Sequence, residues 1–298
     1  MSYACSVPLR WVDLDAQGHV NNAVVADYLQ EARVGWLLSG PNAHLLGTAT
    51  MVVSHQVTYL APVVFDTRPV EVRLSVGGVG AARFSLGYTV VQDGRELARA
   101  RSVLCLFDYG TGRPRRMTHA EREWFSGQSE PLEPFPPLGS WTVGDRAHGY
   151  DFVVRWSDLD PYGHVNNVRV FDFVAEARIR MGPDGTDTRM HLAARQGLTW
   201  MVARQDVDYL GQITHRVEPY RVRSAIGRVG RTSVTIVAEV VDPLAGSVLA
   251  ATSTVLVSGD AQGRPVPLPA EMLAAAQRWP AEVSPAGSAR TRVPPVRG

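Results

Sequence analysis

Apolar and polar residues alternate along this chain with two different periods. Residues 3–12 alternate loosely and carry β-formers, which predicts a strand. Val25, Tyr28, Leu29, Ala32 and Trp36 then fall at spacings of three and four, the apolar stripe of a helix over Ala23–Leu38. Asn21 and Asn22 stand where an N-cap is needed, and Gly40-Pro41 stops the helix. Strand-like runs follow near 50–60, 69–76, 83–92 and 96–108, with Gly77-Gly78 and Asp93-Gly94 between them as hairpin turns. The second half predicts the same order. A strand falls near 150–157, a helix over 168–181, and strands near 198–210, 217–227, 231–242 and 248–258. Short helices at 118–125 and 270–279 close the two halves, and the longer stretch at 182–197 has room for an extra one. One helix followed by an antiparallel meander is an α+β design, in which the helix buries its stripe on one face of the sheet.

The shared order reflects a duplication. Arg10-Trp11-Val12-Asp13-Leu14-Asp15-Ala16-Gln17-Gly18-His19-Val20-Asn21-Asn22 returns 145 residues later as Arg155-Trp156-Ser157-Asp158-Leu159-Asp160-Pro161-Tyr162-Gly163-His164-Val165-Asn166-Asn167. Ten of these 13 positions are identical, and they are rich in Asp, His and Asn rather than in core residues. Residues 57–91 also align without gaps on 207–241, including Tyr59 on Tyr209 and Arg73 on Arg223. A repeat this long is a duplicated domain, not a solenoid unit. The expected division is a first domain at 1–125, a Pro-, Gly- and Ser-rich linker at 126–149, a second domain at 150–279, and an unstructured tail at 280–298.

Composition narrows the function by exclusion. A net charge of +1 gives no global case for nucleic acid or acidic partners. Cys5 and Cys105 form neither a metal spacing nor a disulfide framework. The N-terminus lacks the pattern of a signal peptide, and no stretch reads as a membrane span. A cytoplasmic protein is the default expectation. There is no Gly-rich phosphate loop ahead of a helix, no zincin motif and no Gly-x-Ser-x-Gly elbow, so serine-hydrolase and metal mechanisms lack support.

The duplicated motif, Arg-Trp-x-Asp-x-Asp-x-x-Gly-His-Val-Asn-Asn ahead of a helix with Glu31-Ala32-Arg33 or Glu176-Ala177-Arg178, resembles the 4-hydroxybenzoyl-CoA thioesterase-type branch of the HotDog superfamily. It is also similar to the plant and bacterial acyl-ACP thioesterases, which are tandem HotDogs. The resemblance covers both halves. It implies two fused HotDog domains, each a curved antiparallel sheet wrapped around a central helix. It also implies that the two halves pair within the chain as a pseudo-dimer, with further assembly into homo-oligomers left open.

Thioester hydrolysis needs a base or nucleophile, plus donors for the oxygen that becomes negative. Asp15 and Asp160 lie between a strand and a helix start, where a carboxylate can attack the acyl carbon or activate water. The resemblance makes this second Asp of each pair the catalytic one. Backbone N–H groups around Asn22-Ala23 and Asn167-Val168 are candidates for polarising the carbonyl. Asp13 and Asp158 are expected to fix the loop or to pair with Arg10 and Arg155. His19 and His164 can orient the aspartate or the leaving thiol, act as bases, or only donate to a loop carbonyl. Asn21, Asn22, Asn166 and Asn167 shape the turn and cap the helix, with an oxyanion contact as the sharper reading.

Acyl-ACP thioesterases carry an Asn two residues after the Asp, and this chain has Gln17 and Tyr162 there. Both are candidate substrate-binding residues. Their difference implies unequal sites, with Asp15 favoured because Gln17 is closer to that Asn. Glu31 and Glu176 are expected to pair with Arg33 and Arg178 or with a strand residue. Tyr59 and Tyr209 are expected in the core or at an interface. Arginines such as Arg73, Arg115, Arg221 and Arg223 are candidates to meet CoA phosphates.

The sequence therefore points to an acyl thioesterase acting on acyl-CoA, with an acyl carrier protein as the second candidate carrier. No cofactor is implied beyond the CoA of the substrate. Two alternatives remain: an enoyl-thioester hydratase or dehydratase on the same fold, and a non-catalytic acyl-thioester-binding module.

Overall fold

A computed structural model describes residues 3–16, 18–48, 50–108, 110–181 and 197–284. Gln17, most of the 182–197 stretch and the tail beyond 284 lie outside these residues. The chain divides at Pro136/Pro137 into two compact units, inside the stretch read as a linker.

In the first unit, β1 (Tyr3–Val7) leads through a 3-10 turn at Trp11–Asp13 into α1 (Asn22–Leu38). A short α2 (Leu45–Thr48) precedes β2 (Thr50–Tyr59), β3 (Val70–Val79), β4 (Arg83–Gln92) and β5 (Arg95–Asp108). A two-residue β6 (Arg113–Pro114) pairs with β5, and α3 (His119–Ser126) follows. The strands lie side by side in the order β1-β3-β4-β5-β2, all antiparallel.

The second unit opens with β7 (Trp141–Thr142), β8 (His148–Phe152) and a 3-10 turn at Trp156–Asp158. It continues with α4 (Arg169–Ile179), β9 (Thr199–Tyr209), β10 (Tyr220–Val229), β11 (Ser233–Asp242) and β12 (Ser247–Gly259). Then come α5 (Ala270–Arg278) and β13 (Glu282–Val283). Its order, β8-β10-β11-β12-β9, is the first unit's order repeated. This is the expected HotDog arrangement, twice.

The core of the first unit lies between α1 and one sheet face. Directly opposed residues of an antiparallel sheet share a face, so Leu74, Tyr88, Ala100 and Val57 form one buried row. Val25, Leu29, Ala32 and Trp36 of α1 are buried in the same core. Trp36 packs against Phe84 of β4, and α3 adds Trp124 stacked on Trp36 and Phe125 stacked on Phe84. Each buried apolar side chain of this size contributes roughly 1.5–3 kcal/mol.

Four local expectations change. The strand expected at 3–12 ends at Val7, because Pro8 cannot donate to a ladder and the chain turns instead. Its counterpart likewise ends at Phe152 rather than 157. Gly77 and Gly78 are not a turn: β3 runs through them to Val79 with a register shift against β4. A Cβ on Gly77 would stand 2.5 Å from Leu132, so the glycine permits close approach of another segment. Residues 280–284, assigned to the tail, include β13, which pairs with β7. By contrast Asp93-Gly94 does form the hairpin turn between β4 and β5, with positive φ at both residues (53° and 75°).

Candidate active site

The duplicated motif folds into the same loop in both units. In the first, the N–H of Asp15 donates to the carbonyl of His19 (2.8 Å), and that of Gly18 donates to the carbonyl of Asp15 (3.0 Å). Leu14 and Val20 pair across this small hairpin, as Leu159 and Val165 do in the second copy. Gly18 and Gly163 take φ of 77° and 80°, the left-handed conformation that lets the chain reverse here. The reversal brings the half-buried Asp15 carboxylate under the backbone N–H of His19, which donates to Oδ1 (3.3 Å). In the second copy Asp160 Oδ1 accepts from the N–H groups of Tyr162 (2.9 Å) and His164 (3.2 Å). Each catalytic candidate is therefore oriented by its own loop. The histidine supplies that tether through its backbone, while the His19 side chain is exposed.

The first Asp of each pair anchors the loop. Asp13 is buried and accepts the Arg10 N–H (2.8 Å), the Arg10 Nε–H (2.9 Å) and the Tyr28 hydroxyl (2.8 Å). Burial and this carboxylate both push the Tyr28 phenol well above its ordinary pKa. Asp158 accepts the Arg155 N–H (2.8 Å), but its nearest guanidinium is Arg169 at 3.9 Å rather than that of Arg155. Phe173 replaces Tyr28, so the phenol bond exists only in the first copy. The carbonyls of Asp13 and Asp158 accept the N–H of Asn21 and Asn166 (both 2.8 Å), which joins the anchor to the helix start.

At that start, Asn21 is the N-cap, and its Oδ1 accepts the Ala23 N–H (3.1 Å). Asn166 Oδ1 reaches the Val168 N–H (3.4 Å), and α4 begins two residues later than α1. Ala23 and Val168, expected as oxyanion donors, thus already have acceptors. Asn22 and Asn167 are the other residues of each predicted pair. Their carbonyls accept hydroxyls from the facing strand: Tyr59 donates to Asn22 (3.0 Å) and Tyr209 to Asn167 (2.7 Å). These tyrosines, expected in the core or at an interface, instead tie the strand to the helix N-terminus in both units. Their identity at equivalent positions was the available signal.

Among the remaining candidates, Glu31 is exposed and the guanidinium of Arg33 is buried with Nη1 lacking a partner, so that pair does not form; Glu31 instead acts on Cys5 of β1, the strand-residue alternative. Arg73, Arg115, Arg221 and Arg223 pair with Glu71, Glu121, Asp151 and Glu239. Tyr162 lies in the loop beside Asp160, and Asn167 Nδ2 donates to Asn166 Oδ1 (3.2 Å). No helix among the described residues is long and apolar enough to cross a membrane.

Comparison with known proteins identifies the family and the fold. The profile of the thioesterase-like superfamily matches residues 9–125 and 154–276. A provisionally designated oleoyl thioesterase from Lactobacillus plantarum superposes with a TM-score of 0.70 at 15% identity, over 90% of this chain and 98% of its own. An acyl-ACP thioesterase from Bacteroides thetaiotaomicron gives 0.63 at 14% identity, over 86% and 97%. The 12:0-ACP thioesterase from Umbellularia californica gives 0.63 at 18% identity, over 85% and 96%. At these identities the likeness is one of fold. No curated protein matches the chain.

Proposed function

Because the chain belongs to the thioesterase-like superfamily, we propose that it hydrolyses an acyl-CoA to a free acid and CoA. An acyl carrier protein is the second candidate carrier. The observation that supports this most is the repeated one: a carboxylate tethered by its own loop, Asp15 or Asp160, directly ahead of a helix start. In the proposed reaction the aspartate takes a proton from water, which adds to the thioester carbon, or attacks that carbon itself. The carbonyl oxygen becomes negative and is met by the backbone N–H groups of the helix start, around Asn22-Ala23 or Asn167-Val168, at the positive end of the helix dipole. The C–S bond then breaks and the thiolate leaves, protonated by the aspartic acid in the first route and by solvent in the second, where water then hydrolyses the acyl–aspartyl anhydride to release the acid and restore the carboxylate. His19 and His164 stand at the same hairpin and are proposed to face the leaving thiol.

The discriminating experiment is thiol release from a panel of saturated, branched and aromatic acyl-CoA esters and acyl carrier protein thioesters. Free thiol from at least one acyl-CoA, faster than from the matched carrier-protein ester, is expected. Binding of such esters with no thiol release would make the chain a binding module instead. Hydration of an enoyl ester without thiol release would make it a hydratase.

A further inference from the structure

We infer that the outer face of the first unit's sheet carries a binding site for a small organic monocarboxylate, separate from the aspartate loops. A cavity of about 330 Å³ lies there, between β3, β4 and β5 and the segment 130–135 that crosses them. This is within the usual size of a small-molecule site. Its floor is set by the sheet register. Arg73, Thr89 and Arg99 are directly opposed, and so are Ser75, Gly87 and Arg101. These residues alternate with the buried row that faces α1 and so point the other way. Leu132 and Phe135 supply the apolar wall, with Leu132 within 2.8 Å of where a Cβ on Gly87 would stand.

Arg101 is the distinctive group. Arg73 and Arg99 engage Glu71 and Glu96. Arg101 has no carboxylate partner among the described residues. The Phe135 ring covers its guanidinium at 5.6 Å, and Nη2 is buried without an acceptor. Burial pushes its pKa down, with Glu133 opposing that shift. A guanidinium with no paired carboxylate and a buried Nη2 without an acceptor, beside apolar walls, is a site for a planar carboxylate on an apolar body. Glu130 and Glu133 line the same cavity and disfavour a multiply charged phosphate.

The duplication supplies an internal control. In the second unit the same two rows read Arg223, Glu239, Ala251 and Ala225, Val237, Ser253. There Arg223 faces Glu239 at 3.7 Å and donates to the Gly144 carbonyl. Val237, Ala225 and Val143 close into an apolar cluster under Trp141. The second copy pairs its one arginine and fills the space. The first keeps the space and leaves Arg101 without an ion pair among the described residues. Thioester hydrolysis would supply an acid of the right class, but the binding claim does not depend on that activity.

The test is isothermal titration of the full chain with benzoate, hexanoate and inorganic phosphate. Arg101→Ser, which installs the residue of the second copy, is compared with wild type, and a thermal melt confirms that it folds. Arg101→Lys, which keeps the charge without the planar fork, is the second variant. The expected result is saturable binding of at least one carboxylate and no heat from phosphate. Affinity should fall at least tenfold in Arg101→Ser and by less in Arg101→Lys. The double variant Asp15→Ala, Asp160→Ala should bind like wild type. Equal affinity in wild type and Arg101→Ser, no carboxylate binding at all, or tighter binding of phosphate would each overturn the inference.

Discussion

Replacing Tyr59 and Tyr209 by Phe removes one oxygen from each unit and leaves the ring. Each hydroxyl makes a neutral hydrogen bond, at 3.0 and 2.7 Å, to the carbonyl of Asn22, the first residue of α1, or of Asn167, two residues ahead of α4. Such a bond contributes about 0.5–1.5 kcal/mol. Deleting an oxyanion donor outright costs about 10²–10³ in rate. Here the donor remains and only its tether is lost. The rate loss by this route is bounded by the tether, which at about 1.4 kcal/mol per decade means at most roughly tenfold. The expected outcome for the double Phe variant is a fall in kcat of roughly three- to tenfold with KM nearly unchanged, since the amide matters most when charge develops. The assay is steady-state thiol release on the best substrate of the panel, beside a melting curve to confirm the fold. An unchanged kcat would show that the tyrosines do not position the site. A loss beyond a hundredfold would show that they touch the reacting atoms, which also contradicts the reasoning.

Further predictions concern the scaffold. Tyr28→Phe deletes a buried bond to the Asp13 carboxylate, worth about 1.5–3 kcal/mol; calorimetry should show a drop of roughly 4–10 °C in the first unit's melting, and an unchanged midpoint would contradict it. Phe173 at the equivalent place indicates that the ring itself is accommodated. Glu121 is held by the Arg115 guanidinium (2.7 and 2.8 Å), the Thr118 N–H (2.7 Å) and His44, which lowers its pKa from 4.5 to about 2. Its folded pKa lies below the unfolded one, so its stabilisation is complete above pH 4.5 and is lost as pH falls toward 2. Urea denaturation should therefore find Glu121→Gln weaker than wild type by about 3 kcal/mol at pH 6, with the gap closing near pH 2. A gap independent of pH would refute the assignment.

What was legible in the sequence was local. Asp93-Gly94 had to turn because the two residues are suited to positive φ. The loop holding Asp15 and Asp160 was readable because glycine, asparagine and aspartate sit at fixed short spacings, and the duplication doubled the signal. What depended on distant partners was not legible. Gly77-Gly78 carries the composition of a turn, yet Gly77 serves the passage of Leu132 from 55 residues away. Glu31 and Arg33 are two residues apart and project from different sides of α1, so sequence proximity misled. Tyr59 and Tyr209 could be linked to the helix start only once the strand was known to pass beside it. The division of labour between the two aspartates in each motif followed from the resemblance, and the geometry supplies its physical side: Asp13 is buried under three donors, while Asp15 lies half-buried at the loop's turn.

The central claim, that Asp15 and Asp160 carry thioester hydrolysis, is tested most directly by one measurement. Thiol release from the best acyl-CoA is compared among wild type, Asp15→Ala, Asp160→Ala and the double variant, each shown to be folded. The proposal predicts that the double variant loses at least about a hundredfold in kcat. The single variants are expected to lose unequal shares, with Asp15→Ala losing the larger one. A folded double variant that turns over at close to the wild-type rate would contradict the account.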